Sequence, residues 1–354
     1  MYQLNDKIKE LTPYEPLKGD FKIRLDANES YLHIPDYILE MILASSTLLK
    51  TNRYPDPLAT ELCSSFASAY GVPSSLVAAG NGSDELIQVI FSSFLMKGEK
   101  YASFDNDFSM YDFYGHISEC ECVKLHKRAD LTIDVDEAIK TCNENDVKLL
   151  IFSNPCNPTS LGLVREDVRK IINNVKALVI LDEAYMDFWD QSILNEIENY
   201  DNLIILRTCS KAYGLAALRV GFAVANKTLI NVIKAVKSPY NVNSISQHVA
   251  SVILSHKGES HAAITQIKNS TKELYASLTE FNEEFNCGWE IFPTCTNFVT
   301  VRFEKARELY NYLLSIGIAV RCFGPYLRIT AGSNNENIQL IKFIKKCYEE
   351  ELNK

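Results

Sequence analysis

No apolar run in this 354-residue chain approaches the roughly 18 to 20 residues that cross a bilayer, so no membrane-spanning helix is expected. The opening MYQLNDKIKE also lacks the apolar centre of a signal peptide, which points to a cytoplasmic protein. An excess of positive charge is missing as well. Lys and Arg total 36 against 45 Asp and Glu, interspersed and netting -9, which argues against nucleic acid or an anionic membrane as partner. An anionic ligand must then be caught by a few local groups. The 10 cysteines show no paired CxxC spacing and, without a secretion signal, read as reduced thiols. Cys120 and Cys122 make one CxC with no second half, too little for a zinc site, and no metal is expected. Internal repeats and low-complexity linkers are absent too. What remains is 47% hydrophobic and 23% charged, enough to bury a large core and to fill two domains.

The order of elements points to an α/β architecture. Residues 1 to 30 hold LTPYEPLKGD, whose prolines and glycine predict an extended arm; FKIRLDANES then alternates briefly as a strand before Asn28 and Glu29. Helical spacing runs from Pro35 to Leu49, and Pro55 and Pro57 fix a turn before a second helix. A strand near Leu76 leads into GNGSDELIQVIFSSFL, where Gly80 and Gly82 permit a tight turn, Ser83 and Asp84 are placed to cap, and an amphipathic helix begins. Such a start offers free backbone N–H groups to a phosphate. It is neither a Rossmann fingerprint nor a P-loop, since the third glycine and the Gly-Lys-Ser/Thr are missing. Then come a strand and an aromatic loop, YASFDNDFSMYDFYG, and buried strands ending in Asn154-Pro155-Cys156-Asn157-Pro158-Thr159 and in Asp182, Glu183 and Tyr185. Short apolar runs alternating with helical patterns predict parallel strands covered on both faces. After Pro239 a long helical stretch leads to a smaller α+β unit containing Arg321 and Arg328.

The stretch that organises the rest is LIILRTCSKAYGLAALRV, Leu203 to Val220. A buried strand ends in Arg207-Thr208-Cys209-Ser210 and delivers Lys211, with Arg219 following. A lysine between hydroxyls and a guanidinium suits a Schiff-base amine beside a phosphate, the two needs of pyridoxal phosphate. In an open α/β sheet ligands lie beyond the carboxyl ends of strands, so Asn157, Asp182, Tyr185, Ser210 and Lys211 are expected to line one crevice. Two strand arginines seven residues apart, Arg321 and Arg328, suggest a clamp for a substrate anion.

Taken in order, LDANES, NRYPDP, GNGSDELI, FSMY, NPCNPTS, LDEAY, TCSKAYGLAALRVGF, PYNVN and LRITAG resemble the fold-type-I pyridoxal-phosphate aminotransferases, and within them the histidinol-phosphate aminotransferase subfamily. The resemblance implies a large domain (31–245) with a mostly parallel seven-stranded sheet between helices. It also implies an arm (1–30) joining a small C-terminal α+β domain, which with the interdomain helix spans 246–354. It implies that Lys211 carries the cofactor, that Asp182 faces the ring nitrogen, that Tyr185 and Asn157 bind the ring oxygen, and that Phe108 stacks on the ring. It implies a phosphate held by Ser83, Asp84, Thr208, Ser210 and Arg219, with Tyr54 reaching in from the second subunit of a homodimer with shared sites. Arg328 resembles the arginine that takes the carboxylate of the substrate; Arg321, Tyr14 and Asn28 complete the expected substrate contacts. The partners implied are a small amino donor and a 2-oxo acid acceptor. The chain departs from the family at Ser30-Tyr31, at Asn106-Asp107-Phe108 and at Ser160. Three chemistries remain open: transamination of histidinol phosphate with 2-oxoglutarate, transamination of aromatic or varied amino acids, and decarboxylation of threonine phosphate. Shared ring chemistry does not separate them.

Overall fold

The computed structural model describes residues 2–13 and 15–352. The expected arm contains strand β1 (Ile23–Arg24) and is followed by helices α1 (Asp36–Ser46) and α2 (Thr60–Tyr70). Next come β2 (Val77–Gly80), α3 (Ser83–Phe94), β3 (Lys100–Phe104), α4 (Met110–Ile117), β4 (Glu121–Leu125) and α5 (Val135–Glu144). The centre holds β5 (Leu149–Ser153), α6 (Arg165–Asn174), β6 (Leu178–Asp182), β7 (Leu203–Thr208), β8 (Gly221–Ala225) and α7 (Lys227–Val236). The remainder is α8 (Ser244–Ser255), α9 (Lys257–Glu284), β9 (Glu290–Ile291), β10 (Phe298–Arg302), α10 (Ala306–Ser315), β11 (Ile318–Ala319), β12 (Arg321–Phe323), β13 (Tyr326–Thr330) and α11 (Asn334–Cys347).

Seven strands form one sheet in the order β2-β8-β7-β6-β5-β3-β4. Every residue of β5, β7 and β8 is buried, because helices cover both faces of the sheet; continuous aliphatic runs therefore replace alternation. The strands are parallel except β8, which runs antiparallel to both neighbours. The apolar run of β8 has the composition of the parallel strands but does not join the parallel set. It cannot, because only a loop with a 3-10 turn (Ala216–Leu218) separates it from β7, and a parallel return needs a crossover, usually a full helix. The aromatic stretch after β3 also differs from expectation. Its second half coils into α4, burying Tyr111 and Tyr114 on one face, so spacing of three outweighed the loop-like composition.

One apolar core packs α2, α6 and α8 against the sheet through residues such as Phe66, Ile171 and Ala250; on the opposite face a second core packs α3 and α7 through Ile87 and Ile230. The larger core continues past residue 246 through Val249, Ile253 and Leu254 of α8, and α9 leaves it to pack in the smaller unit through Leu274 and Leu278. That unit has an antiparallel sheet, β12-β13-β10-β9, beside the parallel pair β1-β11. The arm joins them: Leu25 donates to the Ala319 carbonyl at 2.8 Å and its own carbonyl accepts from Thr330 at 3.0 Å. No helix among the described residues is long and apolar enough to cross a membrane.

Candidate active site

The carboxyl ends of β5, β6 and β7 lie side by side, with Ser153 paired to Asp182 and Asp182 to Leu206. Asp182, the last residue of β6, is buried; its Oδ1 accepts from the Ala184 backbone at 3.1 Å and its Oδ2 from the Tyr111 hydroxyl at 2.8 Å. Burial pushes its carboxyl up to about 6, against the stabilising hydrogen bonds from Tyr111 and Ala184. Lys211 follows β7, and its Nζ donates to the carbonyl of Ala27 in the arm at 2.9 Å. The residue is half-buried. Burial, helped by the charges of Arg328 and Arg219 and opposed by Glu29, brings the amine down to about 8. A proton acceptor and a nucleophile thus sit on neighbouring strand ends.

At one end of the crevice, the turn between β2 and α3 forms a cradle. Gly82 takes φ 84° as the residue before α3, and neither Ser83 nor Asp84 caps the helix with its side chain, contrary to expectation. Glu85 instead accepts from the Asn81 backbone. The first-turn N–H groups of α3 keep their orientation toward an incoming anion, since a helix leaves its first four without helical partners. A β-carbon on Gly221 would lie 2.2 Å from the Ser83 nitrogen, and one on Gly82 would lie 2.7 Å from the Arg219 guanidinium, so β8, the turn and the arginine meet at closest approach. Arg219 has a left-handed backbone, φ 51°, and donates to the Ser210 hydroxyl at 3.3 Å. Thr208 is adjacent, its hydroxyl accepting from the Ser210 backbone at 3.1 Å. Backbone donors, two hydroxyls and a guanidinium meet the requirements of a phosphate group.

The small unit supplies the facing wall. Arg328 of β13 donates to Asn157 Oδ1 and to the Asp26 carbonyl. Its guanidinium lies 5.5 Å above the Phe298 ring, which meets Tyr185 edge-on with centroids 5.3 Å apart. The Asn157 side-chain oxygen is thereby engaged by the small unit, and its backbone N–H donates to the Ser153 hydroxyl at 3.2 Å. Tyr185 accepts from Asn28 at 2.8 Å, leaving its phenol proton to be donated, and burial pushes the phenol up to about 12, so it stays protonated. Asn28 is anchored in turn by Thr330, whose hydroxyl accepts from the Asn28 backbone at 3.0 Å. In the small sheet Thr300, Arg328 and Arg321 pair in one row across β10, β13 and β12.

The sequence profile of the aminotransferase class I and II family matches residues 21–344. The chain belongs to that family. A histidinol-phosphate aminotransferase of Clostridium novyi (strain NT) is 40% identical over 343 residues, covering 96% of this chain and 95% of that protein. Among solved structures, a histidinol-phosphate aminotransferase of Sinorhizobium meliloti in complex with pyridoxal-5'-phosphate shares the fold at TM-score 0.86 and 21% identity, over 98% of each chain. An L-threonine-O-3-phosphate decarboxylase of Porphyromonas gingivalis aligns at TM-score 0.79 and 22% identity, over 93% of this chain and all of that one. Its fold is therefore shared by enzymes with different reactions.

In this aminotransferase Asn28, Asn157, Asp182, Tyr185, Thr208, Ser210, Lys211, Arg219 and Arg328 gather at one crevice, together with the α3 turn bearing Ser83 and Asp84. Phe108 borders it, half-buried and edge-on to Tyr111 with centroids 5.6 Å apart. Arg321 lies beside Arg328 through the strand ladder, and its side chain takes no hydrogen bond or ion pair among the described residues. Tyr54 stands apart: it is 81% exposed and stacks on Tyr240 at 4.6 Å, with no hydrogen bond to the crevice of its own chain. Tyr14 lies outside the described residues. Two contributors were not anticipated, Tyr111 and the Ala27 carbonyl. Tyr111 carried a signal, since it stands one helical turn after Phe108; Ala27 carried none, because a backbone carbonyl has no side-chain signature.

Proposed function

We propose that this aminotransferase binds pyridoxal phosphate and transfers the amino group of histidinol phosphate to 2-oxoglutarate. Pyridoxal phosphate, when bound, supplies an aldehyde for amines and a ring that withdraws electrons from the carbon that loses its proton. Lys211 would hold the aldehyde and, once substrate replaces it, carry a proton to and from the reacting carbon. An amine brought down to about 8 keeps enough neutral form near neutral pH for both tasks. Asp182 would hold the proton on the ring nitrogen, and that paired positive charge offsets the burial of its carboxylate. Asn157 and Tyr185 would hold the ring oxygen, Phe108 would cover the ring, and the α3 turn with Thr208, Ser210 and Arg219 would hold the phosphate.

The observation that carries the choice of donor is the cross-strand pair Arg321 and Arg328, two cations on one face of the small sheet, one of which, Arg328, reaches Asn157. A phosphorylated donor brings the anion they need, and the acceptor brings carboxylates to the same place. The name of the Clostridium novyi relative agrees with that donor.

A homodimer with shared sites accounts for the chain's exposed apolar surface. In α1, Ile38 and Ile42 are buried in the chain, yet Tyr37, Leu39, Met41 and Leu43 are exposed, and Leu48, Tyr54, Leu58 and Tyr240 add to the patch. A helix apolar on all sides belongs inside an assembly. Tyr54 would then reach the phosphate of the neighbouring subunit.

The deciding assay offers purified enzyme with pyridoxal phosphate a panel of donors, scoring 2-oxoglutarate consumption against carbon dioxide release. Histidinol phosphate should be the best donor and release no carbon dioxide. Preference for phenylalanine, or carbon dioxide from threonine phosphate, would overturn the assignment.

A further inference from the structure

The catalytic constellation leaves one chemically capable pair unused. Lys127, just beyond β4, donates from Nζ to Cys156 Sγ at 3.1 Å and to the Asn106 carbonyl at 2.8 Å. Both partners are held by their backbones. The Lys127 N–H donates to Asp105 Oδ1 at 3.0 Å, the Cys156 N–H donates to the Leu161 carbonyl at 2.7 Å, and the Cys156 carbonyl accepts from Ser160 at 2.9 Å. Below them lies Asp107, its carboxylate accepting from the Ser153 hydroxyl and backbone. Cys156 is 4% exposed and immediately precedes Asn157 of the crevice. The Cys156 thiol also lies 3.5 Å from the Asn106 carbonyl that accepts from Lys127. Of the other thiols near the surface, Cys120 donates to the Met96 and Ser118 carbonyls, Cys122 to Asp112, and Cys322 to the Gly324 carbonyl.

We propose that Cys156 and Lys127 form a peroxide-reactive modification site that closes into a covalent sulfur–nitrogen bond beside the crevice. Cysteine reacts as its thiolate, and Lys127 Nζ lies at hydrogen-bond distance from the sulfur. The thiolate attacks one oxygen of hydrogen peroxide and the O–O bond breaks. The departing hydroxide takes a proton from the Lys127 ammonium and leaves as water, so sulfur becomes a sulfenic acid, oxidised by two electrons, and Lys127 becomes a neutral amine. That amine, already in contact, attacks the sulfur; the S–O bond breaks and the hydroxyl leaves with one amine proton as a second water. Thiol, amine and one peroxide thus give one S–N bond and two waters. The bond draws Cys156 toward Lys127 from a contact to a covalent distance and takes Asn157 with it. An added thiol cleaves the link and restores both side chains.

The test treats the holoenzyme with one equivalent of hydrogen peroxide, blocks remaining thiols by alkylation and analyses the digest by mass spectrometry. The expected product joins the peptides containing Lys127 and Cys156, lighter than their sum by two hydrogens, and separates after dithiothreitol. Activity should fall in step with the linked fraction and return with it. In Lys127→Arg no link forms, and a second equivalent of peroxide carries Cys156 from sulfenic to sulfinic acid. The proposal is overturned if wild-type Cys156 is recovered alkylated while Cys120 or Cys122 is oxidised. It is equally overturned if Cys156 reaches sulfinic acid with Lys127 unlinked.

Discussion

Arg321 and Arg328 stand directly opposite each other on adjacent strands, so two guanidinium groups share one face of the small sheet. Like charges in that relation repel, and an anion between them reverses the sign. Arg321→Ala is expected to lower kcat/KM for histidinol phosphate by roughly ten- to a hundredfold, the worth of a hydrogen bond to a charged group. A donor without phosphate should change only a few-fold. Inorganic phosphate should raise the Tm of the parent protein more than that of the variant. An equal loss for both donors would make Arg321 a structural residue.

The second prediction follows the charge of Lys211. Burial and the cations Arg328 and Arg219 disfavour its ammonium, so the proton leaves near pH 8 and not near the ordinary lysine value of 10.5. In the cofactor-free enzyme, imine formation with added pyridoxal, followed by absorbance, should therefore rise with pH through about 8. Arg328→Ala should move the midpoint upward, toward the ordinary value. A parent midpoint near 10 would mean that the amine is solvated.

Tyr111 acts on Asp182 by stabilising the carboxylate with a 2.8 Å hydrogen bond. In Tyr111→Phe that support is gone, and the carboxyl should titrate above about 6, the value it has with Tyr111 in place. A loss of roughly 1.5 to 3 kcal/mol corresponds to about one to two pH units. The acid limb of the kcat profile should shift upward accordingly. An unchanged limb would show that Tyr111 only fills space.

Much of this site is written locally in the chain, because strand ends carry their own punctuation. Lys211 after a β-branched run, Asp182 closing another, and the double glycine before Ser83 are all visible within a dozen residues. Direction and distant partners are not. Asn28 meets Tyr185 across 157 residues and Arg328 meets Asn157 across 171, contacts that exist only once the two cores and the arm have docked. The antiparallel course of β8 was hidden for another reason: an apolar run has the same composition in either direction, and only the missing crossover helix betrays it.

Gly221→Ala tests the cradle. Its β-carbon would fall 2.2 Å from the Ser83 nitrogen, a backbone atom that cannot turn aside, so α3 or β8 must shift. Pyridoxal phosphate affinity, measured by fluorescence titration, should fall by at least tenfold. Affinity for pyridoxal lacking the phosphate should fall much less. Equal losses would place the damage elsewhere in the crevice.

Stability should depend on Arg207, which is buried between Glu183 at 3.4 Å and Asp187 at 3.2 Å and lies 4.6 Å from the Tyr70 ring. Arg207→Leu leaves two buried carboxylates without their cation, at a cost of about 3 to 5 kcal/mol. Calorimetry should show a lower Tm, with the deficit largest at neutral pH. It should narrow in mild acid, where Glu183, which burial already holds above its ordinary range, takes up a proton. A deficit independent of pH would indicate lost packing and not lost charge.

The carbonyl that receives the Lys211 amine belongs to Ala27, and the next residue is bound by Thr330, 302 positions further on. A chain emerging from the ribosome therefore displays Lys211, Asp182 and the α3 turn long before it can fix the carbonyl above them. Residues near 25 must wait, unpaired, for a strand that is synthesised almost last. The reactive amine is accordingly seated at the end of synthesis, and a product truncated before β13 would carry a folded sheet with an unguarded lysine.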